Sequence, residues 1–232
     1  MVTNELIAKL KQYDTPTICN AIEVVQGKRG FNQFTRGQVI CSAPKNGAMV
    51  GFARTAQIAA VEPPSESADV IRQRRMNYYR HMATGPEYRV AVIEDVDGDE
   101  AVGAYWGEVN TTVHKGLGVC GALTNGLMRD LDDLAEGFTV LAGSIGPSHG
   151  FVHVRTIGEP VEVFGLKIAD GDLIHADQHG AVVIPPEVIP RISDAIDKLL
   201  ASEALILEPA REAGFNFEKF EQAWTNFERN RT

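Results

Sequence analysis

The chain has 232 residues, 44% of them hydrophobic, 23% charged and 7% aromatic. That is enough for one domain with a sizeable core, and it excludes collagen-like, disordered and coiled-coil chains. With 22 basic and 31 acidic residues the formal charge is −9, which argues against a dedicated nucleic-acid binder.

No apolar run approaches the roughly 18 residues of a membrane span, so a membrane is not an expected partner. The start, MVTNELIAKLKQYD, lacks the continuous apolar core of a signal peptide. Cys19, Cys41 and Cys120 have no metal-like spacing and fit free thiols, so the expected location is cytoplasmic.

Leu6, Ile7 and Leu10 sit at helical spacing within residues 5–12. Asp14-Thr15-Pro16 predicts a capped second helix that runs through Val25 and stops at Gly27. Residues 28–47 carry glycines and Pro44 and read as loop. Residues 49–60 alternate as a strand does. Residues 67–82 predict a helix with Val70, Ile71 and Tyr78 on one face.

The pattern then becomes strand, turn, helix. Residues 88–94 form a strand, 95–103 a loop, 107–115 a helix and 119–124 a buried strand. Residues 129–134 predict a short helix before Gly137, and 138–145 a strand. The segment 161–184 is strand-rich, with turns at Gly165, Asp170-Gly171 and His179-Gly180. After Pro185-Pro186 a long helix is expected from 187 to 207. Pro209 and Gly214 interrupt, and a last amphipathic helix covers 217–227. The whole reads as a single α/β domain over residues 1–232, with 187–232 as a helical C-terminal extension.

The sharpest local feature is Trp106-Gly107-Glu108, followed after one further strand by Arg129-Asp130. A helix starting at Glu108 presents unpaired N–H groups and the positive end of its dipole. Two consecutive βα turns would place both helix starts on one sheet edge, where α/β proteins bind ligands. Glu108 and Asp130 could then share a hard cation through oxygen ligands, and Arg129 could grip an organic anion. The plainer alternative is that both acids cap helices and Arg129 pairs on the surface.

The pairs His149/His153 and His175/His179 have i, i+4 spacing but lie in glycine-rich or strand-like sequence. On a strand such residues are about 13 Å apart, which disfavours shared zinc. Arg72, Arg74, Arg75 and Arg80 read as a solvated helix face. There is no GxGxxG, Walker loop or GxSxG elbow.

TPTICNAIE, GEVNTTVHKGLGVCGALTNGLMRD and PVEVFGLKIADGDLIHADQHGAVVIP, in that order, resemble the RraA-like family. This family contains the regulator of ribonuclease activity A and the class II 4-hydroxy-4-methyl-2-oxoglutarate/4-carboxy-4-hydroxy-2-oxoadipate aldolases. The resemblance covers residues 14–225, and its specific core is an acid, a spacer and Arg-Asp.

It implies a layered αββα sandwich, assembled as a homotrimer or a dimer of trimers with sites between subunits. It further implies a divalent-metal-dependent lyase, using Mg²⁺, that cleaves a 4-hydroxy-2-oxo acid to pyruvate and decarboxylates oxaloacetate as a side activity. The resemblance assigns the metal to Asp130 and the pyruvyl part of the substrate to Arg129. Gly107, Glu108, Val109 and Asn110 would add backbone donors, and Glu108 would help to hold water at the metal. Asn77 and His153 would line the site. Glu203, or else Glu208, would arrive from a neighbouring subunit.

This sequence has Glu108 where characterised aldolases have Asp, Asn125-Gly126 where the family has Asp-Gly, and His153 where they have Lys. The alternative function is a non-catalytic ribonuclease-regulating protein of the RraA type. Retention of Glu108 with Arg129-Asp130 favours the enzyme.

Overall fold

The computed structural model describes residues 2–230. Met1 and residues 231–232, the two ends of the expected single domain, lie outside the described residues.

Helices α1 (Asn4–Leu10) and α2 (Thr15–Gln26) open the chain. The Asp14 side chain accepts the Thr17 amide at the start of α2, and Gly27 ends it in the left-handed conformation that glycine adopts without a Cβ penalty. Next come β1 (Ile40–Cys41), β2 (Met49–Ala59), α3 (Ala68–Ala83), β3 (Arg89–Asp95), β4 (Ala104–Trp106), α4 (Glu108–Gly116) and β5 (Val119–Thr124). The strands β6 (Leu127–Met128), β7 (Thr139–Ala142), β8 (Ser144–Ile145), β9 (His153–Ile157), β10 (Val161–Val163), β11 (Leu166–Ile168), β12 (Leu173–Asp177) and β13 (Gly180–Val183) follow. Helices α5 (Ile192–Arg211) and α6 (Phe217–Asn230) close the described chain.

An eight-stranded sheet runs β1-β7-β5-β3-β2-β12-β13, with β9 also paired to β2. Its centre, β7-β5-β3-β2, is parallel, and its flanks are antiparallel. β5 and β7 are largely apolar because both faces are covered, whereas β2 also carries Arg54 and Gln57, and β3 has Arg89 at its start and Glu94 and Asp95 at its end. Val90 and Val92 face the β10–β11 hairpin, and Ala91 and Ile93 face Tyr78 and Met82 of α3. A third core joins α1, α2 and α5 to Val50, Leu173 and Val182. The expected α/β class and the C-terminal helices are therefore present.

Four local expectations are corrected. Residues 129–134 form a turn, not a helix. The stretch 138–145 is two strands, β7 and β8, kinked at Gly143, where a Cβ would run into the Asn125 carbonyl. Short β4, Ala104–Trp106, falls between the expected loop 95–103 and helix 107–115, in residues that the sequence assigned to neither. Val70 is 47% exposed; the buried face of α3 carries Tyr78 and Met82 instead. Pro209 does not interrupt α5. It sits in the last turn, where the amide it lacks is the only backbone bond forfeited.

Candidate functional site

The strands β4, β6 and β8 form a small parallel sheet of their own. Its C-terminal edge brings three chain crossings together. The Arg129 amide donates to the Trp106 carbonyl at 2.8 Å, and the Gly146 amide to the Met128 carbonyl at 3.0 Å. Gly107 and Arg129 thus leave neighbouring strands side by side. The two acids are brought together by adjacent parallel strand ends, rather than by the two helix starts that the sequence suggested.

Gly107 is the N-cap residue of α4 and has no side chain to cap it. Asp130 supplies the cap from the next loop: its Oδ2 accepts the Glu108 amide at 3.2 Å. A Cβ on Gly107 would overlap this carboxylate and press on Arg129. Asp130 itself has φ of 53°, in the left-handed region that Asp tolerates better than most residues. Arg129 Nε lies 3.5 Å from Asp130 Oδ2 but makes no hydrogen bond, although the atom is buried. A buried donor on a cation without a hydrogen bond is costly, and the nearest charge to it is the Asp130 carboxylate.

Beneath α4 lies an aromatic floor. Trp106 is fully buried, with its ring 4.7 Å from that of His114. Burial pushes His114 down to about 4. Its Nδ1–H donates to the Asn110 carbonyl at 2.6 Å, and its Nε2 lies 2.7 Å from the Tyr78 hydroxyl. The Asn110 side chain donates to the Tyr105 carbonyl and accepts from the Tyr79 hydroxyl. That leaves its backbone amide, in the first helical turn with that of Val109, as a donor towards solvent.

The other predicted residues are more scattered. Glu108 is exposed, and Val109 is 68% exposed. Asn77 is exposed on α3, where its Oδ1 accepts from Gln73 and Arg80. His153 is buried on β9; its Nδ1–H donates to the Phe151 carbonyl, and its Nε2 is buried without a partner. Glu203 lines a groove of about 1220 Å³ between α2, α5 and α6, and Glu208 is exposed.

The rings of His175 and His179 have separate partners, with His179 Nδ1 3.1 Å from Asp177 Oδ1. His175 Nε2 faces the Leu10 and Tyr13 carbonyls, and its Nδ1 faces the Thr15 hydroxyl. Among the described residues no group of three or more His, Cys, Asp or Glu could by itself hold an ion.

Asn125 bonds the Asp95 backbone in both directions. Its Oδ1 accepts the Asp95 amide and its Nδ2 donates to the Asp95 carbonyl, both at 2.8 Å. A carboxylate could do only the first. The sequence reading missed Thr111, whose hydroxyl bonds the Gly107 carbonyl and the Ala135 amide, and Tyr79, whose hydroxyl donates to Asn110. Their only sequence signal is a polar group on the packed face of a helix, α4 for Thr111 and α3 for Tyr79.

Residues 15–183 match the RraA-like family, described as Aldolase/RraA. An uncharacterized protein of Methanocaldococcus jannaschii is 32% identical over 107 residues, 45% of this chain and 51% of that protein. The chain thus spans about half the length of this curated relative. Among solved structures, an uncharacterized protein from Pseudomonas syringae pv. tomato superposes with a TM-score of 0.70 at 18% identity, covering 96% of this chain and 98% of that one. Streptomyces coelicolor RraAS2, titled an unusual member of the RNase ES inhibitor RraA protein family, gives 0.65 at 20%, covering 91% and 98%. These likenesses establish the fold.

Proposed function

The chain belongs to the RraA-like family, and from that premise we propose that it is a divalent-metal-dependent lyase. It cleaves a 4-hydroxy-2-oxo acid, of the 4-hydroxy-4-methyl-2-oxoglutarate type, to pyruvate. The observation that carries this reading is the buried, unpartnered Nε of Arg129 beside the Asp130 carboxylate, at the open start of α4. A cation, an anion and unpaired amides converge there, as a chelating oxo acid and its metal require.

The residues fit a hard cation. Asp130 commits Oδ2 to α4, and among the described residues Oδ1 has no hydrogen bond. An oxygen ligand of this kind suits Mg²⁺, which keeps several waters and needs few protein ligands. When bound, Mg²⁺ supplies Lewis-acid stabilisation of the enolate charge.

The chain's own groups do the rest. The Arg129 guanidinium pairs with the substrate carboxylate, and the Val109 and Asn110 amides receive the same end of the molecule. Breaking the C3–C4 bond leaves its electron pair on the pyruvyl half as an enolate, which Arg129 also steadies. Glu108, with Glu203 of a neighbouring copy, holds the water that takes the C4 hydroxyl proton. Protonation at C3 gives pyruvate. Loss of CO₂ from oxaloacetate leaves the same enolate and follows as a side activity. His153 and Asn77 are assigned to the distal half of the substrate.

The proposed assembly is a trimer or a dimer of trimers. Val109, Val113 and Leu131 form an exposed apolar rim beside the site, 68%, 39% and 47% exposed. A second copy would cover such a rim. No helix among the described residues is long and apolar enough to cross a membrane. The test is pyruvate release from oxaloacetate and a panel of 4-hydroxy-2-oxo acids, with Mg²⁺ and with EDTA. Metal-dependent release from at least one is expected; none from any would overturn the lyase.

A further inference from the structure

The loop that carries Arg129 and Asp130 is tied to α4 at three points. Two are peripheral: the Glu108 amide on Asp130, and Lys115 Nζ on the Glu136 carbonyl. The third is buried. The Thr111 hydroxyl accepts the Ala135 amide at 3.0 Å and donates to the Gly107 carbonyl at 2.9 Å. The Glu108 carbonyl lies 3.1 Å from the same oxygen. Thr111 is completely buried, so water cannot replace it in either role.

We propose that the Thr111 hydroxyl clamps the α4 start to the Asp130 loop and is a positioning residue for the metal and oxo-acid site. This inference rests on the lyase reading. The geometry follows from one atom with two duties. Its proton goes back to the turn that begins at Gly107, and its lone pair holds the loop five residues beyond Asp130. Among the described residues no other side chain bonds both the carbonyl of Gly107 and an amide of that loop.

A back-bonding threonine is of little use to an isolated helix, since its bond to the i−4 carbonyl duplicates one the backbone already makes. Here the Thr111 amide also donates to the Gly107 carbonyl, at 3.0 Å. The hydroxyl is therefore surplus to the helix and is needed by the loop. Asp130 has a left-handed backbone, and the Asp133 amide closes the turn on the Asp130 carbonyl. A turn of this kind keeps its aim only while its far end is fixed. Releasing Ala135 lets the carboxylate swing while the chain stays folded.

The test compares wild type, Thr111→Val and Thr111→Ser in two measurements. Mn²⁺ titration followed by electron paramagnetic resonance reads the affinity of the site. Hydrogen exchange of the Ala135 amide in metal-free protein reads the tether. Thr111→Val keeps the shape and removes the hydroxyl. It is expected to weaken Mn²⁺ binding about tenfold or more, the usual effect of losing a group that orients a ligand, and to speed exchange at Ala135. Thr111→Ser is expected to restore both.

Unchanged Mn²⁺ affinity and exchange in Thr111→Val would overturn the clamp. So would equal losses in the serine variant, which would make the role one of packing. A wild type that binds no Mn²⁺ would instead remove the metal site, and the positioning role with it, whatever the exchange at Ala135 shows.

Discussion

Asp130 caps α4 from outside the helix: its Oδ2 accepts the Glu108 amide at 3.2 Å, in place of a side chain that Gly107 lacks. One carboxylate oxygen therefore serves the fold, and the other is left for the proposed cation. Folding and chemistry can be separated by substitution. Asp130→Asn keeps an acceptor for the Glu108 amide and a side chain that tolerates the left-handed backbone, but removes the charge. It should unfold within about 1 kcal/mol of wild type while Mg²⁺-dependent pyruvate release is lost. Asp130→Ala should lose the activity too, and about 1–3 kcal/mol of stability, from the missing cap and the backbone conformation. Denaturant midpoints and the pyruvate assay check both; full activity of Asp130→Asn with unchanged Mg²⁺ dependence would take Asp130 out of the site.

Arg129 presents a buried Nε that is without a hydrogen bond. A lysine would bring a point charge in place of a planar fork. Arg129→Lys should lower kcat/KM for the 2-oxo acid by roughly 100-fold while the protein stays folded. Steady-state kinetics near those of wild type would make Arg129 structural.

Two buried groups pull stability in opposite directions with pH. Burial pushes Asp95, 1% exposed, up to about 6. The folded state holds a proton there that the unfolded chain has released. That contribution is complete below about pH 4 and is lost as pH rises through 6. His114 goes the other way. Burial pushes it down to about 4, so its contribution is present above about pH 6.5 and is lost as pH falls towards 4. Each amounts to about 3 kcal/mol at most. Burial also lowers His81 and His175, which act in the direction of His114. Asp95→Asn should therefore raise the melting temperature at pH 7.5 and steepen the loss between pH 6.5 and 4. Melting curves across that range check it; an unchanged profile would mean that Asp95 is hydrated in solution.

Much of this was legible wherever local chemistry decides structure. Asp14, Pro16 and Gly27 announce α2 because a cap, a fixed φ and a left-handed stop are local requirements. The apolar run Val119–Thr124 announces β5 because both its faces are covered. The site was legible as a set of residue types, Glu108 with Arg129-Asp130, and not as a geometry. Strands as short as Leu127–Met128 have no period to read. The turn after them imitates a helix start, since Asp followed by apolar and acidic residues is also a capping pattern. What fixes it as a turn is tertiary: the Ala135 amide on Thr111 and the Glu108 amide on Asp130.

The sharing of a site between copies is tested by mixing. Glu203 lies half-buried on α5, in the groove with Lys198, Trp224 and Glu228, and Asp130 stands on the edge of another sheet. Asp130→Ala and Glu203→Ala proteins should each be inactive. Unfolded together and reassembled, they should regain part of the activity, because some interfaces then carry both acids. Verified mixed assemblies with no activity would contradict a shared site.

Oxalate is a planar mimic of pyruvate enolate, and its binding tests the central claim most directly. In calorimetric titration the wild-type protein should bind oxalate with Mg²⁺ present and lose that binding in EDTA, and Asp130→Asn should bind it in neither condition. Oxalate binding that is indifferent to Mg²⁺, or retained by Asp130→Asn, would contradict a metal-and-oxo-acid site built from Asp130, Arg129 and the start of α4.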